Sequence, residues 1–142
     1  MLKKKIKYTD FNGAEREEEF LFNLSKAEIL EMELGKNGGF NAYIQRIINA
    51  GDTAAIIKVF KELILKSYGE KSDDGKRFIK SRELSESFSQ TEAYSNLFME
   101  LATNVDQASL FVNGIVPNDL AEKAKEIENN ESKIVSMPTN NS

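Results

Sequence analysis

The chain contains no cysteine, no histidine and no tryptophan, and only two prolines. Without cysteine there is no disulfide, no thiolate nucleophile and no thiolate zinc site. Without histidine the usual proton acceptor near neutral pH is missing, together with the commonest nitrogen ligand for transition metals. Apolar runs are only a few residues long, far short of the roughly 20 that a membrane-spanning helix needs. The start "MLKKKIKYTD" has positive charges but no apolar stretch behind them, so it does not read as a secretory signal and a cytoplasmic protein is expected. Basic charge is in deficit too: 19 Lys and Arg against 23 Asp and Glu give a net charge of −4, which argues against binding nucleic acid through neutralised phosphates. At 142 residues the length suits one domain with one core.

What is present is patterned. Residues 3–22 read as a β-hairpin, with "IKY" and "EEEFLF" alternating around "DFNG". A two-residue Asn12-Gly13 loop would set Ile6 against Glu19 on a face that should be buried. A three-residue loop, Asn12-Gly13-Ala14, pairs Ile6 with Phe20 and Lys4 with Phe22, with Lys7 opposite Glu19 and Asp10 opposite Arg16, and is the register expected. The Lys-rich and Glu-rich strands read as partners across a solvated face.

From residue 26 onward the spacing is helical. "NLSKAEIL" carries Ser25 as N-cap, Glu28 as the reciprocal half of a capping box, and Leu24 with Ile29 as a hydrophobic staple. That helix should stop near Leu34 at the glycine-rich "GKNGG", which lacks the spacing of a phosphate-binding loop. Two strongly periodic segments follow, one with Phe40, Tyr43, Ile44, Ile47 and Ile48, the other with Ile56, Ile57, Phe60, Leu63, Ile64 and Tyr68. Gly51 ends the first and Asp52 caps the second. Their aromatic stripe, Phe40, Tyr43, Phe60 and Tyr68, reads as core rather than a ligand pocket. Leu84, Phe88, Tyr94, Leu97, Phe98 and Leu101 mark one or two further helices with a break near Ser89 to Thr91. Asp106 should cap a helix carrying Leu110 and Phe111 that closes at Asn113-Gly114, and Pro117 should open a last helix from Leu120 to about Glu128. The polar segment 129–142 is expected to be disordered. The expected fold is therefore mainly α: an N-terminal β-hairpin, then a bundle of about five to seven short helices within one domain spanning 1–128, and a disordered tail.

One stretch, "SYGEKSDDGKRFIKS" from Ser67 to Ser81, has the look of a ligand loop. A phosphate loop fails, because five residues separate Gly69 from Gly75, Arg77 stands where a hydroxyl belongs, and a helix rather than a strand precedes it. A calcium loop aligned on Gly75 would put Ser81 where the bidentate Glu is required. Ser72-Asp73-Asp74-Gly75 fits a type I turn and Gly69 a helix C-cap, so the turn is the favoured reading. Glu83 and Glu86 could share a helix face as acid and base, but no third group supports them. No catalytic, cofactor or metal residues are assigned.

The segments "IIKVFKELILKSYGEKSDDGKRFIKS", "QTEAYSNLFMELATN" and "FVNGIVP", following "NLSKAEILEMEL", resemble the small tail assembly chaperones of long-tailed bacteriophages of Gram-positive hosts. The resemblance covers roughly Lys4 to Pro117. It implies a non-enzymatic protein of the host cytoplasm that binds the tape measure protein while tail-tube subunits polymerise around it, and that is absent from the mature virion. It also implies that a ribosomal frameshift near the end of the gene yields a longer form in many such phages. It supplies no set of binding residues. A holder of long amphipathic helices needs unburied apolar surface, and the candidates are Leu65, Met99, Val112, Leu120 and Ile127. Tape measure protein, tail-tube protein and a second copy of the chain are the partners considered; nucleic acid and membrane are not. The alternative is a structural tail or connector component of the virion.

Overall fold

The computed structural model describes residues 1–33 and 39–117. Two strands, β1 (Leu2–Thr9) and β2 (Glu15–Phe22), lead into α1 (Lys26–Glu33), α2 (Gly39–Ala50) and α3 (Thr53–Ser67). A second hairpin follows, β3 (Tyr68–Lys71) and β4 (Phe78–Ile79), and then α4 (Arg82–Ser89), α5 (Glu92–Thr103) and α6 (Val105–Ile115). Six helices among the described residues agree with a mainly α reading. The strands, however, form one antiparallel sheet in the order β1-β2-β3-β4, so the fold has a sheet layer as well as helices.

The second hairpin corrects the expectation that Ser67–Ser81 is only a helix stop and a turn. Tyr68 is not the last residue of a helical stripe, nor Gly69 a helix cap. Both lie in β3, opposite Phe22 and Leu21 respectively. The turn itself forms as expected, with the Gly75 N–H reaching the Ser72 carbonyl at 2.9 Å.

The first hairpin has the expected faces but not the expected register. Leu2 faces Phe22, Lys4 faces Phe20, Ile6 faces Glu18 and Tyr8 faces Arg16, a slide of two residues. The Asp10 carboxylate accepts from the N–H groups of Asn12 and Ala14, both at 2.9 Å, so the three-residue loop is Phe11-Asn12-Gly13, with Gly13 at φ 82°. Because side chains alternate with period two, such a slide leaves every residue on its own face. Ile6 and Phe22 remain buried, while Lys4, now opposite Phe20, sends its ammonium to Glu100 of α5 at 2.8 Å. Asp10 and Arg16 still meet, on the diagonal, at 2.6 Å, and Lys7 meets Glu17 rather than Glu19.

The helix signals mostly resolve as read. The Ser25–Glu28 capping box forms in both directions, at 2.9 and 3.1 Å, and Leu24 and Ile29 are buried together. Asp52 caps α3 by accepting from the Ala55 N–H. The break between α4 and α5 falls at Gln90 and Thr91, with Thr91 as the new N-cap. Two details of α6 differ. Asn104, not Asp106, caps it, accepting from the Gln107 N–H at 3.1 Å. Asn113-Gly114 continues the helix to Ile115, where the bare Gly114 backbone lets Leu2 pack so closely that a Cβ would come within 2.9 Å of it. The core joins Ile6, Phe22 and Leu24 to Ile44, Phe60, Leu63, Ile64, Leu97, Leu101 and Ile115. Residues 34–38 of the glycine-rich stretch, the Phe40 side chain, the expected last helix and the polar tail lie outside the described residues.

Candidate partner-binding surfaces

The loop that looked most like a ligand site is closed on itself. Ser72 Oγ donates to Asp74 at 2.7 Å and accepts from the Arg77 N–H at 3.0 Å, while Asp74 also accepts from the Lys76 N–H at 3.0 Å. The Lys76 N–H first, then the Ser72 hydroxyl, hold the Asp74 carboxyl below its ordinary value. These bonds organise a turn. Among the described residues no group of three or more Asp and Glu gathers where it could hold a metal ion. Glu83 and Glu86 both lie exposed on α4, and Glu86 is taken by Arg82 one turn away at 2.8 Å.

Aromatic residues form the inner scaffold. Tyr68 stacks on Phe88 at 4.2 Å and 13°, and Phe22 lies edge-on to both Phe88 and Phe111. Burial raises the hydroxyl pKa of both Tyr68 and Tyr94. β3 and α4 are thereby locked together.

The surface candidates separate clearly. Met99 on α5 is 54% exposed. Leu65 on α3 is half-buried against the core, with its carbonyl accepting from Ser85 Oγ at 3.0 Å. Val112 is 1% exposed and belongs to the core, so it offers no surface to a partner. Leu120 and Ile127 lie outside the described residues. Sequence reasoning passed over Leu110 (62% exposed), Val105, Leu30 and the hairpin-tip Phe11 (80% exposed). A signal existed for Leu110: the stripe Ala108, Phe111, Val112 and Ile115 keeps to one side of α6 and leaves Leu110 off it. Ile57, one of the residues of the periodic pattern of α3, is likewise exposed.

β1 and β2 form a hairpin arm laid against α5, where Lys4 meets Glu100 and the Lys7 carbonyl accepts from Asn96. The arm is charged on its outer face, with Lys3, Lys5 and Lys7 opposite Leu21, Glu19 and Glu17. An open cleft of about 540 Å³ beside it is lined by Tyr8, Arg16, Glu17 and Asn96 among others. What the surface offers is apolar side chains on helices and a charged strand pair. The model of a family described as phage tail assembly chaperone matches residues 1–141. The chain belongs to that family. For this tail assembly chaperone no curated protein matched, and neither did any solved structure. The family match runs beyond Pro117 into the polar tail, further than the resemblance read from the sequence. No helix among the described residues is long and apolar enough to cross a membrane.

Proposed function

We propose that this tail assembly chaperone works without catalysis, binding the tape measure protein and holding it while tail-tube subunits assemble around it. The family match carries the reading. The exposed apolar side chains of the helices, Leu30, Met99, Val105 and Leu110, support it, since amphipathic helices dock through such residues. Met99 and Leu65 stay the candidates among the described residues, and Leu120 and Ile127 extend the proposal into the C-terminal segment. The setting proposed is the host cytoplasm of a Gram-positive bacterium infected by a long-tailed phage, with the protein absent from the mature virion.

Co-expression tests the reading. The tape measure protein should become more soluble when produced with this chain and should co-purify with it. If it folds and stays soluble equally well alone, the assignment fails. Mass spectrometry of purified virions separates a chaperone from a structural tail component, because a chaperone should be missing from the particles. A slippery heptamer near the 3′ end of the gene, with an overlapping downstream frame, is the expected sign of a frameshifted longer form.

A further inference from the structure

The hairpin arm carries an open strand edge. From Glu15 to Glu19 every β2 residue is exposed, on both faces of the strand. Three hydrogen bonds orient its backbone. The Asp10 N–H donates to the Ala14 carbonyl at 2.9 Å, so even-numbered residues of the β2 strand face β1. The Asn23 N–H donates to the Ser67 carbonyl at 2.8 Å, so odd-numbered ones face β3. On the other strand, the odd-numbered Lys7 turns its carbonyl outward to Asn96 at 3.0 Å, consistent with the same alternation. The N–H and C=O groups of Glu15, Glu17 and Glu19 therefore point to the side on which β3 would lie. Yet β3 pairs only with Leu21 and Phe22 before turning into β4. Among the described residues no strand covers that side of Glu15–Glu19. Where the strands part, a hollow of about 410 Å³ opens between Phe20, Leu21 and Tyr68, rimmed by the three carboxylates Glu18, Glu19 and Glu70 and by one cation, Lys71.

We propose that this open edge accepts a short extended segment of a partner polypeptide with Lys or Arg at alternate positions, added as a strand beside Glu15–Glu19. Main-chain bonds would supply affinity and the row of carboxylates selectivity. The charge pattern selects this occupant over a second copy. Pairing β2 with β2 sets Glu against Glu, and pairing β1 with β1 sets Lys against Lys; like charges directly opposite are destabilising. Pairing the β1 of one copy with the β2 of another meets the Asn96 side chain already seated on the Lys7 carbonyl. The inference names an edge and its chemistry, and it stands whether or not the tape measure protein is the partner.

The test uses the full chain labelled with ¹⁵N and three capped peptides: alternating Lys-Val, the same with a backbone N-methylated on alternate residues, and alternating Glu-Val. With the Lys-Val peptide, the Glu17 and Glu19 amides should exchange more slowly, and the other two peptides should leave them unchanged. Glu17→Pro removes an outward N–H together with one carboxylate of the row, leaves the inward-facing bonds to β1 in place, and should abolish the protection while circular dichroism stays the same. Independently, Glu17→Lys with Glu19→Lys should weaken the Lys-Val peptide by about tenfold or more and turn the preference to Glu-Val. Equal binding of the N-methylated peptide, no protection at Glu17 and Glu19, or an unchanged preference in the double variant would each overturn the proposal. So would a concentration-dependent dimer of the free chain that Glu17→Pro dissolves, since the occupant would then be a second copy.

Discussion

Lys80 ties three parts of the chain together. Its ammonium lies 2.8 and 2.7 Å from the two Glu28 carboxylate oxygens and 2.6 Å from the Asn23 carbonyl, while Glu28 also receives the Ser25 N–H. Burial alone would raise the Glu28 carboxyl, but Lys80 and the Ser25 N–H outweigh it and bring the group below its ordinary value. A carboxyl held low when folded contributes stability above its unfolded value of about 4.3. That contribution fades as pH falls through the folded value. Urea titrations should therefore show the chain losing stability below that range, and Glu28→Gln should lose less over the same interval. Lys80→Met should cost about 1 kcal/mol near neutral pH, kept modest because the pair is partly solvated. Gly69 is a sharper case. A Cβ there would meet the Phe78 ring at 2.6 Å and the Ile79 carbonyl at 2.7 Å, a close approach between strands that reads in sequence as a helix cap. Gly69→Ala should destabilise by roughly 1–3 kcal/mol, again measured by urea unfolding.

Among the elements, what the sequence made legible followed the range over which each signal acts. A capping box or an N-cap is complete within four residues, so Ser25, Asp52 and the break before Thr91 could be placed. Thr91 accepts from the Tyr94 N–H at 3.1 Å and donates to the Phe88 carbonyl at 2.7 Å, closing one helix and opening the next. Thr91→Ala should cost about 1 kcal/mol, with thermal melting as the readout. The choice of Asn104 over Asp106 was harder, since both are good caps two residues apart. β3 and β4, at four and two residues, are too short to show a period, and β3 exists because β2 offers its edge from far away in the sequence. The hairpin register failed for a related reason. Faces are written in the alternation, but which of two same-face registers forms depends on the Asp10 carboxylate closing the turn and on Glu100, 96 residues from Lys4. The open edge of β2 was hidden for that reason too, because an edge is defined by where its neighbour leaves.

For the molecule as a whole, residues that hold the fold and the exposed apolar residues proposed to meet a partner occupy different shells, and substitutions can separate them. Phe22 is fully buried and contacts the rings of Tyr68, Phe88 and Phe111, so it joins the sheet to α4 and α6. Phe22→Ala should cost about 3–5 kcal/mol, much of the 5–15 kcal/mol on which a domain of this size rests. That loss should show as a broad, early unfolding transition, and any loss of partner binding would follow from it. Met99 and Leu110 have little such burden. Truncating an exposed side chain usually changes stability by about 0.5 kcal/mol or less, so Met99→Ser with Leu110→Ser should melt like the natural chain. If the exposed helical faces are where the tape measure protein docks, that double variant should nonetheless recover clearly less of it in co-purification. Full recovery by a well-folded double variant would move the docking surface off these faces, leaving the β2 edge to carry the contact. Glu17→Pro in the same co-purification then decides whether that edge carries it.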